Sequence, residues 1–229
     1  MKKVFCILLF TALLTGTAGC STPSADVTPP QAIDTPTVEP PPQAPVPDSL
    51  LFKEEHEVHN GNSNEAGTPY REITIRPDNR VIYLEEETVR TFLESGTGIF
   101  FFSNSTCPWC RTFMPMFMDF ADDYDVDLFY FNPVEDREAD TALNQFLVSK
   151  LHDYLAVDES TQNPEEEDFD PEKKRIRVPH VFFMNHGEVV EHIFLNGHAL
   201  LREETLDLEQ MREMLDEMYD SWLVERGDK

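Results

Sequence analysis

Residues Gly98 to Cys110 read GIFFFSNSTCPWC, and this stretch decides the fold class. The Ile-Phe-Phe-Phe run near its start is typical of a central strand that is covered on both faces. A short polar loop follows, and residues 108–124 then carry apolar side chains at helical spacing. A strand, a loop and a helix in this order indicate an α/β fold. Two cysteines lie where the predicted helix begins.

Cys107 and Cys110 have the placement that thiol chemistry requires. Only the thiolate form of cysteine attacks a disulfide, and a free cysteine is mostly protonated at neutral pH. The unpaired N–H groups and the positive dipole end of a helix N-terminus favour the thiolate of the first cysteine. Pro108 suits the first helical turn, where its missing N–H group is not needed. We expect Arg111 to add a nearby positive charge, with Cys107 as nucleophile and Cys110 as resolving thiol.

Three other interpretations of this cysteine pair are open. A structural disulfide across so short a loop would remove little chain entropy and would stabilise the fold weakly. A zinc site would need two further ligands, and His180 is the one histidine expected near the pair. The pair could also be accidental, because an isolated Cys-x-x-Cys is a weak signal. We predict no metal site and no cofactor.

The rest of this region alternates strands and helices. The last helix carries an apolar stripe that fits either a coiled-coil seam or a face docked on the sheet, and its short length favours docking. An acidic loop is predicted at 157–177. Strands are predicted at 71–75, 80–84, 98–103, 127–131, 178–184 and 189–195, and helices at 85–95, 108–124, 140–155 and 206–224.

Residues 99–117 resemble the active-site segment of the thioredoxin superfamily. Pro115 matches the proline of that family's active-site helix, and Val178-Pro179 matches its strand-opening cis-proline. The resemblance extends over about residues 80–225. It implies a thioredoxin-like three-layer sandwich, a mixed central sheet flanked by helices. A helix and an acidic loop are inserted before the cis-proline strand.

The same resemblance implies roles for individual residues. Cys107 and Cys110 match the family's nucleophilic and resolving cysteines, and Trp109, Val178 and Pro179 are expected to contact the substrate. We expect Pro179 to follow a cis peptide bond and Val178 to lie against the cysteine pair.

Two departures from the family pattern concern the surroundings of the cysteines. The Pro-Trp dipeptide between them is more similar to glutaredoxins than to thioredoxin. The position of the family's buried acid is taken by Phe101, so another group would have to accept a proton from the resolving thiol. Glu135 and Asp136 are the candidates that the sequence offers.

The N-terminus is typical of an exported protein. Lys2 and Lys3 precede a short apolar run, which is too short for a permanent transmembrane helix. The sequence LLTGTAGCS at 13–21 resembles the lipobox of bacterial lipoproteins, with Thr17 in place of the usual Leu. This resemblance implies a signal peptide at 1–19 and lipid attachment to Cys20. Ordinary signal cleavage, which would leave Cys20 as a free thiol, is the alternative.

Nine of the chain's 17 prolines lie between Ser21 and Ser49. We therefore predict a flexible, Pro-rich and polar tether at 20–67, mostly unstructured at 50–67, and one domain at 68–229. The formal net charge of −26 repels nucleic acid and anionic lipid surfaces, so neither is an expected partner.

These features together predict an extracytoplasmic, lipid-anchored thiol–disulfide oxidoreductase. They resemble the exported thioredoxin-like lipoproteins of Gram-positive bacteria, including those grouped with bacteriocin-transport accessory proteins. Expected partners are thiols and disulfides of exported proteins, a redox partner, and the membrane through the lipid anchor; a monomer is expected. The alternative is a non-catalytic binding or accessory module with this fold. In that case the acidic loop at 158–172 could serve for docking or for weak calcium binding.

Overall fold

The computed structural model describes residues 46–194, 201–202 and 205–228. The predicted signal peptide, Cys20 and most of the predicted tether lie outside these residues. No helix within the described part of the chain is long and apolar enough to cross a membrane. The elements are α1 (Asp48–Glu57), β1 (Val81–Tyr83), α2 (Glu86–Ser95), β2 (Gly98–Phe102), α3 (Pro108–Tyr124), β3 (Leu128–Phe131), α4 (Val134–Ala139), α5 (Ala142–Leu151), β4 (Ala156–Val157), β5 (Lys174–Arg175), β6 (His180–Asn185), β7 (Glu188–Phe194), β8 (Leu201–Arg202), β9 (Thr205–Leu206) and α6 (Leu208–Arg226).

A mixed five-stranded sheet forms the centre of the fold, with strand order β1-β3-β2-β6-β7. The first three strands of this order are parallel, while β6 is antiparallel to β2 and β7 is antiparallel to β6. The central strand is β2, and all of its residues are buried, as its apolar run predicts. Phe101 on β2 lies opposite Tyr130 on β3 and Val181 on β6.

Side chains alternate across the sheet and build two separate cores. Ile99 and Phe101 pack on the face that α1, α3 and α6 cover. Phe100 and Phe102 pack on the opposite face, beneath α2 and α5. The result is an α/β sandwich of three layers, with a thioredoxin-like order of strands and helices. The predicted fold class is confirmed.

The last helix docks on the sheet rather than presenting a coiled-coil seam. Met211, Leu215, Tyr219 and Trp222 are its buried residues. The Trp222 indole N–H donates to the Met184 carbonyl at 2.8 Å, which fixes the helix against β6. The apolar stripe of α6 therefore completes one core of the domain.

The prediction that residues 50–67 are mostly unstructured is wrong. They contain most of α1, and Phe52 on this helix is completely buried. Its ring centroid lies 5.0 Å from that of Tyr130 and 6.2 Å from that of Phe101. The helix escaped prediction because most of its side chains are polar, so its apolar face is only one or two residues wide. The folded part of the chain thus begins upstream of the predicted boundary at residue 68.

The strand predicted at 71–75 is not part of the sheet. Ile73 and Ile75 are buried, as their alternation predicts, but their backbone groups bond to side chains of the α1 region. Asn60 donates to the Ile73 carbonyl at 2.7 Å and accepts from the Ile73 N–H at 3.1 Å. The Ile75 N–H donates to the Glu57 carboxylate at 2.8 Å. The alternation of apolar and polar residues thus predicts the burial of Ile73 and Ile75 correctly. Their backbone, however, pairs with the α1 region rather than with a strand, and the sequence pattern does not indicate α1.

The helix predicted at 140–155 is α5, which a short 3₁₀ turn at His152–Tyr154 extends, and the sequence pattern does not indicate the helix α4 that precedes it. Asp140 separates them, because its left-handed backbone (φ 46°) ends α4. Thr141 then caps α5 by accepting from the Asn144 N–H. The predicted acidic loop contains the short β4–β5 hairpin, which was not predicted either. The helix α4 carries Arg137, whose positive charge acts on Cys107.

Candidate active site

Cys107 is the residue that caps the N-terminus of α3, as the sequence predicts. Its sulfur accepts a hydrogen bond from the Cys110 N–H at 3.3 Å, and its carbonyl accepts from the Arg111 N–H at 3.0 Å. Pro108 occupies the first helical position. The Cys107 side chain is partly exposed, whereas Cys110 is completely buried, and both are free thiols in this structure.

The two thiols have opposite acidities. The pKa of Cys107 is lowered, first by a hydrogen bond from the Cys110 thiol and further by the Trp109 and Cys110 N–H groups, although its partial burial opposes this. Burial raises the pKa of Cys110 well above its usual value, and the neighbouring Cys107 sulfur raises it further. The arrangement favours the thiolate form at the accessible Cys107 and the protonated form at the buried Cys110.

The positive charge near the site does not come from the residue that we expected. Arg111 follows Cys110 directly in the chain, but its guanidinium bonds to groups of the N-terminal segment and to the Ser105 carbonyl, and it does not contribute to the shift in the Cys107 pKa. The cation that lowers the pKa of Cys107 is Arg137 on α4. Arg137 donates to the Ile176 carbonyl at 3.1 Å and pairs with Glu138 at 2.9 Å. No sequence pattern indicates this role, because Arg137 is distant from the cysteines in the chain and lies on α4, a helix that the pattern does not predict.

The Arg111 side chain instead forms hydrogen bonds that link the N-terminal segment, residues 56–71, to α3. It is completely buried, and burial lowers its pKa. Its guanidinium donates to the carbonyls of Arg71 (2.6 Å), His56 (2.7 Å) and Ser105 (3.0 Å), and to the Asn60 side chain (2.6 Å). Hydrogen bonds from a charged donor are stronger than neutral ones, so these four bonds join residues 56–71 firmly to the loop and helix that carry the dithiol.

The predicted cis bond and its position are confirmed. The Val178–Pro179 peptide bond is cis and precedes β6 directly. The Cys107 sulfur lies 3.8 Å from the Val178 carbonyl oxygen, within reach of a weak hydrogen bond. The long connection from α3 thus returns the chain to the dithiol, where Val178 presents its backbone beside the accessible sulfur.

The two carboxylates that the sequence offers as proton acceptors for Cys110, Glu135 and Asp136, have other surroundings. Glu135 is exposed and Asp136 accepts from Thr141, so neither predicted candidate stands under the dithiol. Phe101 is buried, and opposite it lies Tyr130, whose hydroxyl donates to Glu55 of α1 at 2.9 Å.

The pKa of this tyrosine responds to the charges around it. The pKa of Tyr130 is raised well above its usual value, mainly by burial, and the charges of Glu55 and Cys110 add to the rise. Tyr83 also donates its hydroxyl to Glu55. The carboxylate that both tyrosines bind is therefore Glu55 of α1, a segment that the sequence predicts to be part of the tether.

His180 has a partner other than a metal. Its Nε2 lies 3.1 Å from Nδ1 of His192, and burial lowers the pKa of both rings, so the pair is neutral. Within the described residues, no three His, Cys, Asp or Glu side chains form a group that could hold a metal ion.

No family model matches this chain, and no curated protein matches it. Among solved structures it is similar to thioredoxin O2 from Arabidopsis thaliana in the oxidised state. The sequence identity is 17%, the TM-score is 0.36, and the match covers 62% of this chain and 96% of the other. The fold assignment rests instead on the strand order and helix placement described above.

The opposite acidities of the thiols predict selective alkylation of the reduced protein. Cys107 reacts as a thiolate, so its alkylation rate should level off once the pH exceeds its lowered pKa. The rate at Cys110 should still be rising above about pH 9, because its pKa is raised. Tandem mass spectrometry after iodoacetamide pulses across a pH series separates the two sites. In denaturant both thiols should titrate near pH ~8.5. Equal rates at both sites in the folded protein would refute the assignment.

Proposed function

We propose that this chain is an exported thiol–disulfide oxidoreductase that acts on proteins outside the cytoplasm. The observation that carries the proposal is the asymmetry of the dithiol. Cys107 is partly exposed with a lowered pKa, and Cys110 is buried with a raised pKa. A structural disulfide needs no such difference, whereas a nucleophile and a resolving thiol do.

The arrangement supports exchange in two steps. The Cys107 thiolate attacks one sulfur of a substrate disulfide, forms a mixed disulfide and releases the other substrate sulfur as a thiolate. Cys110 then loses its proton and attacks the Cys107 sulfur, which releases the second substrate thiol and leaves a Cys107–Cys110 disulfide. The substrate gains two electrons and the protein loses two. An external dithiol returns the protein to its reduced form, and the same steps in reverse oxidise a substrate dithiol.

The backbone before Pro179 supports a role in substrate binding. The Val178 carbonyl lies beside the Cys107 sulfur, and the residue is partly exposed. An extended substrate segment that pairs with this backbone would bring its own sulfur to Cys107, in the manner of strand addition at a sheet edge. Trp109 is partly buried next to the dithiol and supplies a flat apolar contact for the same segment.

Turnover distinguishes the enzyme from a non-catalytic module. We expect the wild-type protein to accelerate the reduction of a disulfide-linked peptide by dithiothreitol well above the uncatalysed rate, measured by the release of free thiol. A rate equal to the background, with the dithiol reduced and the protein folded, would contradict the enzymatic proposal and favour the binding module.

The lipobox-like sequence around Cys20 supports the proposal that the protein is anchored to the outer face of the membrane. We expect replacement of Cys20 by Ala to move the protein from the membrane fraction to the medium, because the acyl chains that would hold it need the cysteine sulfur. Labelled palmitate incorporation measures the modification directly. A Cys20→Ala protein that stays in the membrane fraction, together with unlabelled wild type, would refute the anchor.

A further inference from the structure

A cavity of about 490 Å³ opens beside the dithiol. One wall is the first turn of α3, and the other is the N-terminal segment that Arg111 fastens to it. The two residues between the cysteines, Pro108 and Trp109, belong to the wall formed by α3. The lining residues are Asn64, Thr68, Pro69, Tyr70, Arg71, Thr106, Pro108, Trp109, Thr112 and Leu206.

The cavity is built into the fold rather than left by a loose loop. Asn64 and Thr68 close a turn, in which the Asn64 N–H donates to the Thr68 carbonyl and the Thr68 N–H donates to the Asn64 side chain, both at 2.9 Å. The Tyr70 N–H donates to the Asn62 carbonyl at 2.9 Å, and Arg111 holds the Arg71 carbonyl at 2.6 Å. These hydrogen bonds hold the wall formed by residues 64–71 in place opposite Trp109.

The charge of this cavity differs from that of the rest of the protein. The whole chain contains 44 Asp and Glu residues, yet none of the described residues that line the cavity is acidic. The one charged residue among the described residues of the lining is Arg71, which is exposed and for which the described part of the chain shows no ion pair. Apolar surface comes from Pro69, Tyr70, Trp109 and others. A cavity that combines these apolar side chains with the cation of Arg71 complements an apolar side chain next to an acidic one.

We propose that this cavity is a specificity subsite for the substrate segment around the reacting cysteine. It takes a large apolar side chain, and Arg71 takes a carboxylate of the same segment. The inference rests on the proposed oxidoreductase function, because the substrate sulfur at Cys107 brings the segment to this place. An extended chain advances about 3.3 Å per residue, so residues one or two positions from the substrate cysteine reach the wall formed by Pro108 and Trp109. The net negative charge of the protein repels such a carboxylate in general, whereas Arg71 at the cavity attracts it.

Three disulfide-linked peptides test the subsite in the wild-type protein. The first carries Phe and Asp beside its cysteine, the second has Ala for Phe, and the third has Lys for Asp. We expect kcat/KM to fall on the order of 10-fold with each replacement, which is the size of discrimination that one pocket contact provides. Reduction of a small disulfide without a peptide, such as hydroxyethyl disulfide, reports the dithiol chemistry alone.

Two variants identify the residues responsible. Arg71→Glu should reverse the preference between the Asp and Lys peptides, and Thr68→Trp should abolish the preference for Phe over Ala by filling the cavity. Arg76→Glu, at an exposed arginine that pairs with Asp122, is the matched control and should keep the wild-type preferences. Each preference is a ratio measured within one protein, so partial loss of folded protein does not change it.

The outcomes separate this inference from the proposed function. Failure of the wild type to reduce the small disulfide and every peptide would overturn the oxidoreductase proposal. Efficient reduction with equal kcat/KM for all three peptides would overturn the subsite alone. An unchanged Asp-over-Lys preference in Arg71→Glu, or the same reversal in Arg76→Glu, would overturn the role of Arg71.

Discussion

A protein that begins at Thr68 should fail to fold, although Thr68 is where the sequence predicts the domain to start. The truncation removes α1 and with it Phe52, which is fully buried against Phe101 and Tyr130. Loss of a buried phenylalanine side chain costs about 3–5 kcal/mol. Glu55 is lost as well, which leaves the buried Tyr130 hydroxyl without its acceptor.

Arg111 adds to the expected cost of this truncation. Two of its four acceptors, the His56 carbonyl and the Asn60 side chain, disappear with the removed segment. Each lost hydrogen bond to a charged group costs roughly 1.5–3 kcal/mol. Together with the loss of Phe52, this approaches the whole stability of a typical domain, about 5–15 kcal/mol.

Thermal unfolding followed by circular dichroism measures the effect. A protein that begins at Val46 is the matched control and should unfold cooperatively at the full-length temperature, since α1 is intact. Phe52→Ala in the full chain should lower the free energy of unfolding by about 3–5 kcal/mol. A cooperative transition at the full-length temperature in the protein that begins at Thr68 would show that α1 is dispensable.

Sequence patterns formed by residues that are close together in the chain predict their elements correctly. The apolar run of β2, the stripe of α6 and the cysteines at the start of α3 each follow from neighbouring residues, and each is observed. The cis-proline was placed by its resemblance to a known family, and the structure confirms it.

The features that the sequence did not reveal depend on contacts between distant segments. The α1 helix buries only Phe52 and His56, which is too few residues for a helical pattern to emerge. Glu55 acquires its place under the sheet only when α1 docks. Arg111 was assigned to the dithiol because it is adjacent in sequence, but one step along a helix turns a side chain by about 100°. That rotation carries it away from the sulfurs, and Arg137 approaches from another helix instead.

Replacement of either cysteine by serine should abolish turnover, for different reasons. Cys107→Ser lacks the nucleophile that begins the reaction. Cys110→Ser completes the first attack but cannot resolve the mixed disulfide, so the protein stops after one substrate. Loss of a nucleophile lowers rates by at least about 1000-fold in enzymes that depend on it, and we expect a loss of this order in steady-state peptide reduction. Thermal unfolding of both variants verifies that the fold is intact.

The most direct test of the assigned roles is trapping of the mixed disulfide. Each serine variant is incubated with a peptide disulfide, quenched with acid, and analysed by non-reducing intact-protein mass spectrometry. Cys110→Ser should accumulate a covalent adduct with the peptide through Cys107, wild type should show little adduct, and Cys107→Ser should show none. Trapping through Cys110 alone, or equal adducts in both variants, would contradict the roles that burial and acidity assign to the two thiols.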